Sequence, residues 1–380
     1  MTDTSILFQP TSISSLELKN RLAVAPMTRV SATEDGCATE QMAEYYGRYA
    51  AGGFGFVIVE ACYMDDQYSQ GYHYQPGIIN AAQEAAWKTV IATVHAAGAK
   101  ICMQLVHAGA LVQGRNANYV EGTIAPSAVE PKGEMLDFYR GEGGYPVPRE
   151  ITTDELIAVK DAFVSAAIHA QKAGFDAIEI HGANGYLLDQ FWTAYTNQRT
   201  DEYGGSARNR IRLDEEIVRA VIAGTQGKLP VGLRLSQSKV NDFEYQWAGG
   251  EQDAADIFPV LDEAGVAFIH ITEHVATDEV FGSGHSLAGL AKKYSKAPVI
   301  LNGGLGDPST AASVIADGNA DIVAQGKAAL ANQDWPNKVQ SGAALEEFDF
   351  GMLGPIANLD NAEIFFANRG QALFTDVPRA

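Results

Sequence analysis

Eight short apolar runs recur along the chain, and their regularity constrains the fold more than any other feature. They are "RLAVAPM" (21–27), "GFVIVEA" (55–61), "KICMQLVHA" (100–108), "FDAIEIHG" (175–182), "PVGLRLS" (230–236), "VAFIHIT" (266–272), "APVILNG" (297–303) and "ADIVAQG" (320–326). None alternates strictly between polar and apolar residues. A strand covered on both faces reads this way, whereas a half-exposed strand alternates. Stretches with helical periodicity separate the runs. In residues 152–174, Thr152 and Glu155 have capping-box spacing. Leu156, Val159, Phe163, Ala166 and Ala170 form one stripe there, and Gly174 ends it. Trp87, Val90, Ile91 and Val94 repeat the pattern ahead of Gly98, and Asp307–Pro308 supplies a cap and a first-turn proline to a later helix. Eight strand–helix repeats predict an α/β chain with a parallel sheet, and the count favours a closed (β/α)8 TIM barrel over an open doubly wound sheet.

A single domain is expected over residues 1–380, with three segments beyond the barrel plan. Residues 3–20 read as an N-terminal hairpin that could plug the barrel bottom. Residues 108–150, rich in glycine, proline and aromatics, form a loop too long for a plain connection; following the third strand, it would cover the mouth. Residues 341–380 form a polar, acidic C-terminal extension with one helical stretch near "NAEIFFANRG".

Composition excludes several function classes. A formal charge of −20 disfavours nucleic acid and anionic membrane surfaces as partners. No apolar stretch approaches the roughly 20 residues of a membrane helix, and the N-terminus lacks the basic-then-apolar pattern of a signal peptide. Cys37, Cys62 and Cys102 are odd in number and contain no C-x-x-C, which argues against a disulfide framework, a zinc site or an iron–sulfur cluster. A reducing cytoplasm fits this cysteine usage.

In "IEIHGANGYLLDQF" (178–191) the fourth run stops at His181, with Asn184 and Tyr186 close behind. In a barrel, side chains at the C-terminal strand ends share one mouth. If the chain turns helical after His181, a spacing of three puts Asn184 on the same side. Two neutral N–H donors could then hold one oxygen and stabilise negative charge on it. Tyr186, protonated near neutrality, could donate a proton. The alternative is that His181 and Asn184 merely satisfy backbone groups at a strand end. Other strand ends add to the first reading: Thr28 after the first, Gln104 within the third, Arg234 near the end of the fifth. Gly303 and Gly304 follow the seventh, and Gly326–Lys327 follow the eighth. Glycine loops and a cation at the last two strands describe the phosphate site common in barrels.

No G-x-G-x-x-G follows a strand, and neither a P-loop nor a G-x-S-x-G elbow is present. "HITEH" matches H-x-x-E-H, so a metal-assisted hydrolase using His270, Glu273 and His274 is an alternative. Those ligands need a helix, however, and this stretch has strand character, where residues 270 and 273 face opposite sides. No metal site is expected. A barrel that only binds a phosphorylated ligand is a further alternative.

"LKNRLAVAPMTR", "QLVHAGA", "EIHGANGYLLDQF" and "NQRTDEYGGSARNRIR", in this order within residues 5–340, resemble the old yellow enzymes, NAD(P)H:flavin oxidoreductases that carry FMN. The resemblance implies a (β/α)8 barrel with FMN at its mouth. Pro26, Met27 and Thr28 would meet the pyrimidine side and O4 region of the flavin ring. Ala61 would lie under the ring, Gln104 on its pyrimidine edge and Arg234 near N1. Gly303, Gly304, Gly326 and Lys327 would hold the phosphate. His181 and Asn184 would grip a carbonyl or nitro oxygen of an electron-poor alkene or nitro substrate, and Tyr186 would protonate the α-carbon while hydride reaches the β-carbon. NADH or NADPH would be the transient donor. A flavin-dependent dehydrogenase or a nitro or nitrate-ester reductase would use the same oxygen-gripping pair. Lys327 stands where many members have arginine and loses the bidentate fork; Thr28 stands where a subset has cysteine. Arg199, Asp201 and Arg210 are read as a structural ion-pair network.

Overall fold

The computed structural model describes residues 3–114 and 122–370. The parts of the predicted loop and C-terminal extension at 115–121 and 371–380 lie outside the described residues. A barrel strand begins in each apolar run, two of them extending past its end: β1 (Leu22–Val24), β2 (Phe56–Ile58), β3 (Lys100–Val106), β4 (Ala177–Asn184), β5 (Val231–Lys239), β6 (Phe268–Thr272), β7 (Val299–Asn302) and β8 (Ile322–Gln325). All neighbours pair in parallel, in the order β2-β1-β8-β7-β6-β5-β4-β3, and pairing of β2 with β3 closes the ring. The sheet is therefore a closed (β/α)8 barrel.

Helices Ala81–Ala96, Thr153–Ala173 and Pro308–Ala316 occupy the predicted stretches. Thr152 and Glu155 make the reciprocal capping box, Gly174 ends that helix in the left-handed region at φ 109°, and Asp307 caps the helix that begins at Pro308. The apolar stripe Leu156, Val159, Phe163, Ala166 and Ala170 is buried in the layer between helices and barrel.

Inside the barrel a second apolar cluster fills the bottom. Ile13, Leu16 and Leu18 from the antiparallel hairpin Thr11–Ile13 and Leu16–Leu18 pack there against Ala23, Phe56, Ile58, Phe268 and Ile322. Each large aliphatic so buried contributes about 1.5–3 kcal/mol. With the lower end closed by side chains, only the C-terminal end of the barrel is free to hold a ligand.

One local expectation is overturned. The chain does not turn helical after His181: β4 continues to Asn184, and the next helix begins at Leu187. On a regular strand, positions 181 and 184 would face opposite sides. Here Leu235 of β5 pairs with Gly182 while Lys239 pairs with Asn184, so β5 carries extra residues across this step. Ser236 Oγ in that bulge accepts the Asn184 N–H at 2.9 Å. Asn184 itself adopts φ 62° and Gly185 φ 89°, conformations these two residue types tolerate best. The bulge and the left-handed turn re-aim Asn184 toward the same space as His181.

Candidate active site

The C-terminal mouth of the barrel opens into a cavity of about 1010 Å³. Pro26, Met27, Thr28, Ala61, Gln104, His181, Asn184, Tyr186, Arg234, Gly303, Gly304, Gly326 and Lys327 all line it.

His181 is 3% exposed, and its Nδ1 has no hydrogen-bond partner. Burial, with Arg234 and His270 adding to it, pushes the imidazole well below its ordinary range, so the ring is neutral near pH 7. The Tyr186 ring packs edge-on against it, with centroids 5.1 Å apart. Burial raises the Tyr186 hydroxyl to about 12, against the lowering effect of its hydrogen bond with Tyr72. The turn that carries Asn184 and Tyr186 is clamped from behind. Asp189 accepts the Gly185 N–H and lies 2.6 Å from Lys239 Nζ, a pair whose side chains are 0% and 2% exposed. Removing one partner of such a pair strands a buried charge.

A polar layer lies deeper in the barrel. Glu179 on β4 is fully buried; it accepts from Gln104 Nε2 and from His270 Nδ1, each at 2.7 Å. Burial works against its charge, but the His270 ring, Arg234 and the Gln104 amide outweigh that and hold the carboxyl below its ordinary range. Arg234 is 6% exposed and donates to Asn302 Oδ1 at 3.2 Å; burial lowers it to about 10, so it stays a cation. Because Gln104 gives one N–H to Glu179, its carbonyl oxygen and second N–H remain for the cavity.

Glu60, after β2, holds the loop leaving β1. It accepts the N–H groups of Arg29 at 2.8 Å and Val30 at 3.2 Å and the Tyr46 hydroxyl at 3.1 Å. Val30 sits at φ 40°, a strained value for a β-branched residue. These bonds fix the backbone just after Thr28.

The glycine loops have a steric reason. Gly303 lies at φ 137°, and a Cβ there would come within 2.1 Å of the Glu273 carbonyl oxygen. At Gly326 an added Cβ would meet nothing closer than Asn302 Nδ2 at 3.7 Å, leaving open space beside the chain. Lys327 Nζ lies 5.2 Å from the Phe350 ring centroid and 5.9 Å from that of Phe348.

The H-x-x-E-H residues do not converge as ligands. His270 is engaged with Glu179 inside the barrel, while Glu273 accepts the Gln237 N–H at 2.7 Å. No group of three or more His, Cys, Asp or Glu side chains suited to a metal ion occurs among the described residues. Arg199 pairs with Asp201 and Glu150, and Arg210 donates to the Trp192 carbonyl at 2.8 Å. Both are away from the cavity lining.

Sequence reading missed Tyr72, Glu60, Glu179 and the Asp189–Lys239 pair. Glu60, Glu179 and Asp189 left a signal, a lone carboxylate inside an apolar run, which must find a partner when buried. Tyr72 left none.

The residues present suit a flavin mononucleotide. A roomy cavity offers unpartnered buried nitrogens at His181 Nδ1 and Arg234 Nε, a fixed cation, and glycine-lined backbone beside Lys327. The chain matches the NADH:flavin oxidoreductase / NADH oxidase family over residues 6–346. It is 33% identical over 355 residues to the NADH oxidase of Thermoanaerobacter brockii, a match covering 90% of this chain and 52% of that protein. The chain thus spans about half the length of that relative. It is 35% identical over 357 residues to 12-oxophytodienoate reductase 1 of Oryza sativa subsp. japonica, covering 90% of this chain and 88% of the reductase. The structure of the old yellow enzyme homologue from Zymomonas mobilis superposes with a TM-score of 0.84 at 34% identity, covering 94% of this chain and 98% of that one. Fold, site and these matches define an FMN-dependent oxidoreductase. The chain belongs to the NADH:flavin oxidoreductase / NADH oxidase family, the old yellow enzymes.

Proposed function

We propose that the protein reduces electron-poor C=C bonds of α,β-unsaturated carbonyl compounds, with NADH or NADPH as the donor. Bound FMN supplies the hydride chemistry, accepting from the nicotinamide and delivering to the alkene. His181 and Asn184 grip the substrate oxygen. A neutral imidazole can donate there without carrying a charge of its own, so the pair favours the state in which the oxygen becomes negative. Tyr186 stands beside His181 and gives the α-carbon its proton. Pro26, Met27, Thr28, Ala61, Gln104 and Arg234 would hold the flavin ring, and the Arg234 cation would favour negative charge on it. Gly303, Gly304, Gly326 and Lys327 take the phosphate. The single observation that carries the reading is the convergence of His181, Asn184 and Tyr186 on one cavity that also holds the Arg234 cation.

The rice relative named above acts, by its name, on a compound with both an oxo group and C=C bonds, which supports this substrate class. All three cysteines are unpaired, which supports a reducing cytoplasm as the setting; no helix among the described residues is long and apolar enough to cross a membrane. Nucleic acid is not a partner in this reading.

The test uses the yellow holoenzyme and a para-substituted phenol, whose oxygen the pair would grip as it grips a carbonyl. A long-wavelength charge-transfer band should appear, and weaken at least tenfold in apparent affinity in His181→Ala, the cost of about 1.5–3 kcal/mol for a hydrogen bond to a charged group. If parent and variant bind the phenol equally, the gripping role of His181 is wrong.

A further inference from the structure

Tyr72 lies in the connection after β2 and reaches the same cavity as Tyr186, although 114 residues separate them in sequence. Its backbone is well fixed. The N–H groups of Gly71 and Tyr72 donate to Gln75 Oε1 at 2.8 and 3.3 Å, and Gln75 Nε2 donates to the Ala61 carbonyl at 2.7 Å. The ring, 4% exposed, packs edge-on against Tyr139 at 4.7 Å. Its hydroxyl is hydrogen-bonded to the hydroxyl of Tyr186.

Two hydroxyls in one bond need one donor and one acceptor, and the surroundings decide which is which. The groups that act most strongly on Tyr72 are Tyr186, Tyr139 and Tyr145, with no cation among them. Tyr186 faces Tyr72, Tyr145, the Arg234 cation and the neutral His181 ring. Negative charge is therefore better placed on Tyr186, and Tyr72 is the hydroxyl that keeps its proton. Burial pushes Tyr72 well above the ordinary phenol range, which points the same way. Both residues border the cavity, but only Tyr186 also packs against the His181 ring, with centroids 5.1 Å apart.

We propose that Tyr72 is a positioning residue for substrate protonation: its O–H donates to the Tyr186 oxygen, which aims the Tyr186 proton into the cavity and steadies the phenolate left after transfer. This rests on the reading of Tyr186 as the acid. In the proton step the Tyr186 O–H bond breaks and the α C–H bond forms, its electron pair coming from the alkene as hydride adds at the β-carbon. The phenolate, held by Tyr72, regains a proton from water that enters when product leaves.

Three variants of the FMN-loaded enzyme test it: Tyr186→Phe, Tyr72→Phe and the double variant, with both half-reactions followed in stopped flow. Tyr186→Phe should slow alkene reduction by about 10²-fold or more. Tyr72→Phe should slow it by about tenfold or more, the loss of a hydrogen bond to a charged oxygen, and by far more than it slows flavin reduction by the nicotinamide. In the Tyr186→Phe background, removing the Tyr72 hydroxyl should have no further effect. Additive losses would overturn the coupling.

A second readout needs no turnover. With 3-fluorotyrosine at position 186 of the oxidised enzyme, the ¹⁹F shift should report a pKa roughly 1–2 units higher in Tyr72→Phe than in the parent. An unchanged pKa together with an unchanged alkene step would leave Tyr72 as packing only and refute the proposal. Should Tyr72→Phe fail to fold, 3-fluorotyrosine at position 72, a stronger donor, should lower the phenolate energy and speed the alkene step; a slower or equal rate would count against it. If Tyr186→Phe itself leaves alkene reduction intact, the acid assignment fails first, and that outcome is distinct from the failure of Tyr72→Phe alone.

Discussion

Glu60 shows how a single carboxyl can support a site it never enters. Fully buried, it is raised to about 7 by desolvation, against the lowering effect of the N–H groups of Arg29 and Val30 and the Tyr46 hydroxyl. Between pH 4.5, its ordinary value, and about 7 the folded protein holds this proton more tightly than the unfolded chain. Stability from this group is therefore intact below pH 4.5 and declines as pH rises through the window, by roughly 3 kcal/mol in all. Half-buried carboxylates such as Glu155, lowered to about 2 by its Arg149 partner, slope the other way. The difference between Glu60→Gln and the parent isolates the effect. Denaturation at pH 5 and pH 8 should show Glu60→Gln gaining on the parent as pH rises; a constant difference would mean that Glu60 does not titrate in this range.

The element that matters most is the end of β4 with the bulged β5 beside it. One bulge, one left-handed asparagine and one glycine turn an extended strand so that His181, Asn184 and Tyr186 reach a common space. The backbone and the amide of Asn184 can be separated experimentally. Asn184→Gly keeps φ 62° at no steric cost, whereas Asn184→Ala must hold it against a clash worth about 1–2 kcal/mol. Both should lose grip on the phenol probe equally, while chemical denaturation should find the alanine variant less stable by about that amount. Equal stabilities would show that the turn relaxes and that the left-handed conformation is not required. His181 and Asn184, three positions apart, both line the one cavity. The element that joins them is different from the helical turn that this spacing implies, because the neighbouring strand supplies the bend.

On the scale of the whole molecule, the hairpin closes the bottom, the segment carrying Phe348 and Phe350 borders the Lys327 end of the cavity, and Tyr139 covers part of the mouth. The C-terminal helix Leu359–Asn368 is tied to the loop leaving β1 through Leu359 N–H to Ser31 Oγ at 2.9 Å and Arg29 to the Asn358 carbonyl at 3.1 Å. The chain's formal charge of −20 opposes the approach of an anionic nicotinamide nucleotide. At low salt, screening reaches about 30 Å at 0.01 M and about 10 Å at 0.1 M, so the acidic surface repels an approaching nicotinamide nucleotide most strongly in dilute buffer. The second-order rate of flavin reduction should rise several-fold as salt is increased, more steeply for NADPH with its extra phosphate. A rate that falls with salt would mean that local cations such as Arg234 and Lys327 govern approach.

The amino-acid sequence alone determined the eight strands and the polar residues that interrupt the strand ends, and its count of eight favoured a barrel whose closure the pairing of β2 with β3 supplies. Burial on both faces, capping and glycine stops are local properties, written in consecutive residues. Only the tertiary structure decided that Asn184 turns to join His181, that Glu60 clamps the loop behind Thr28, and that Tyr72 meets Tyr186. Each of these depends on where a second, distant segment comes to rest, and a contact across 114 residues leaves no periodicity in either partner's neighbourhood.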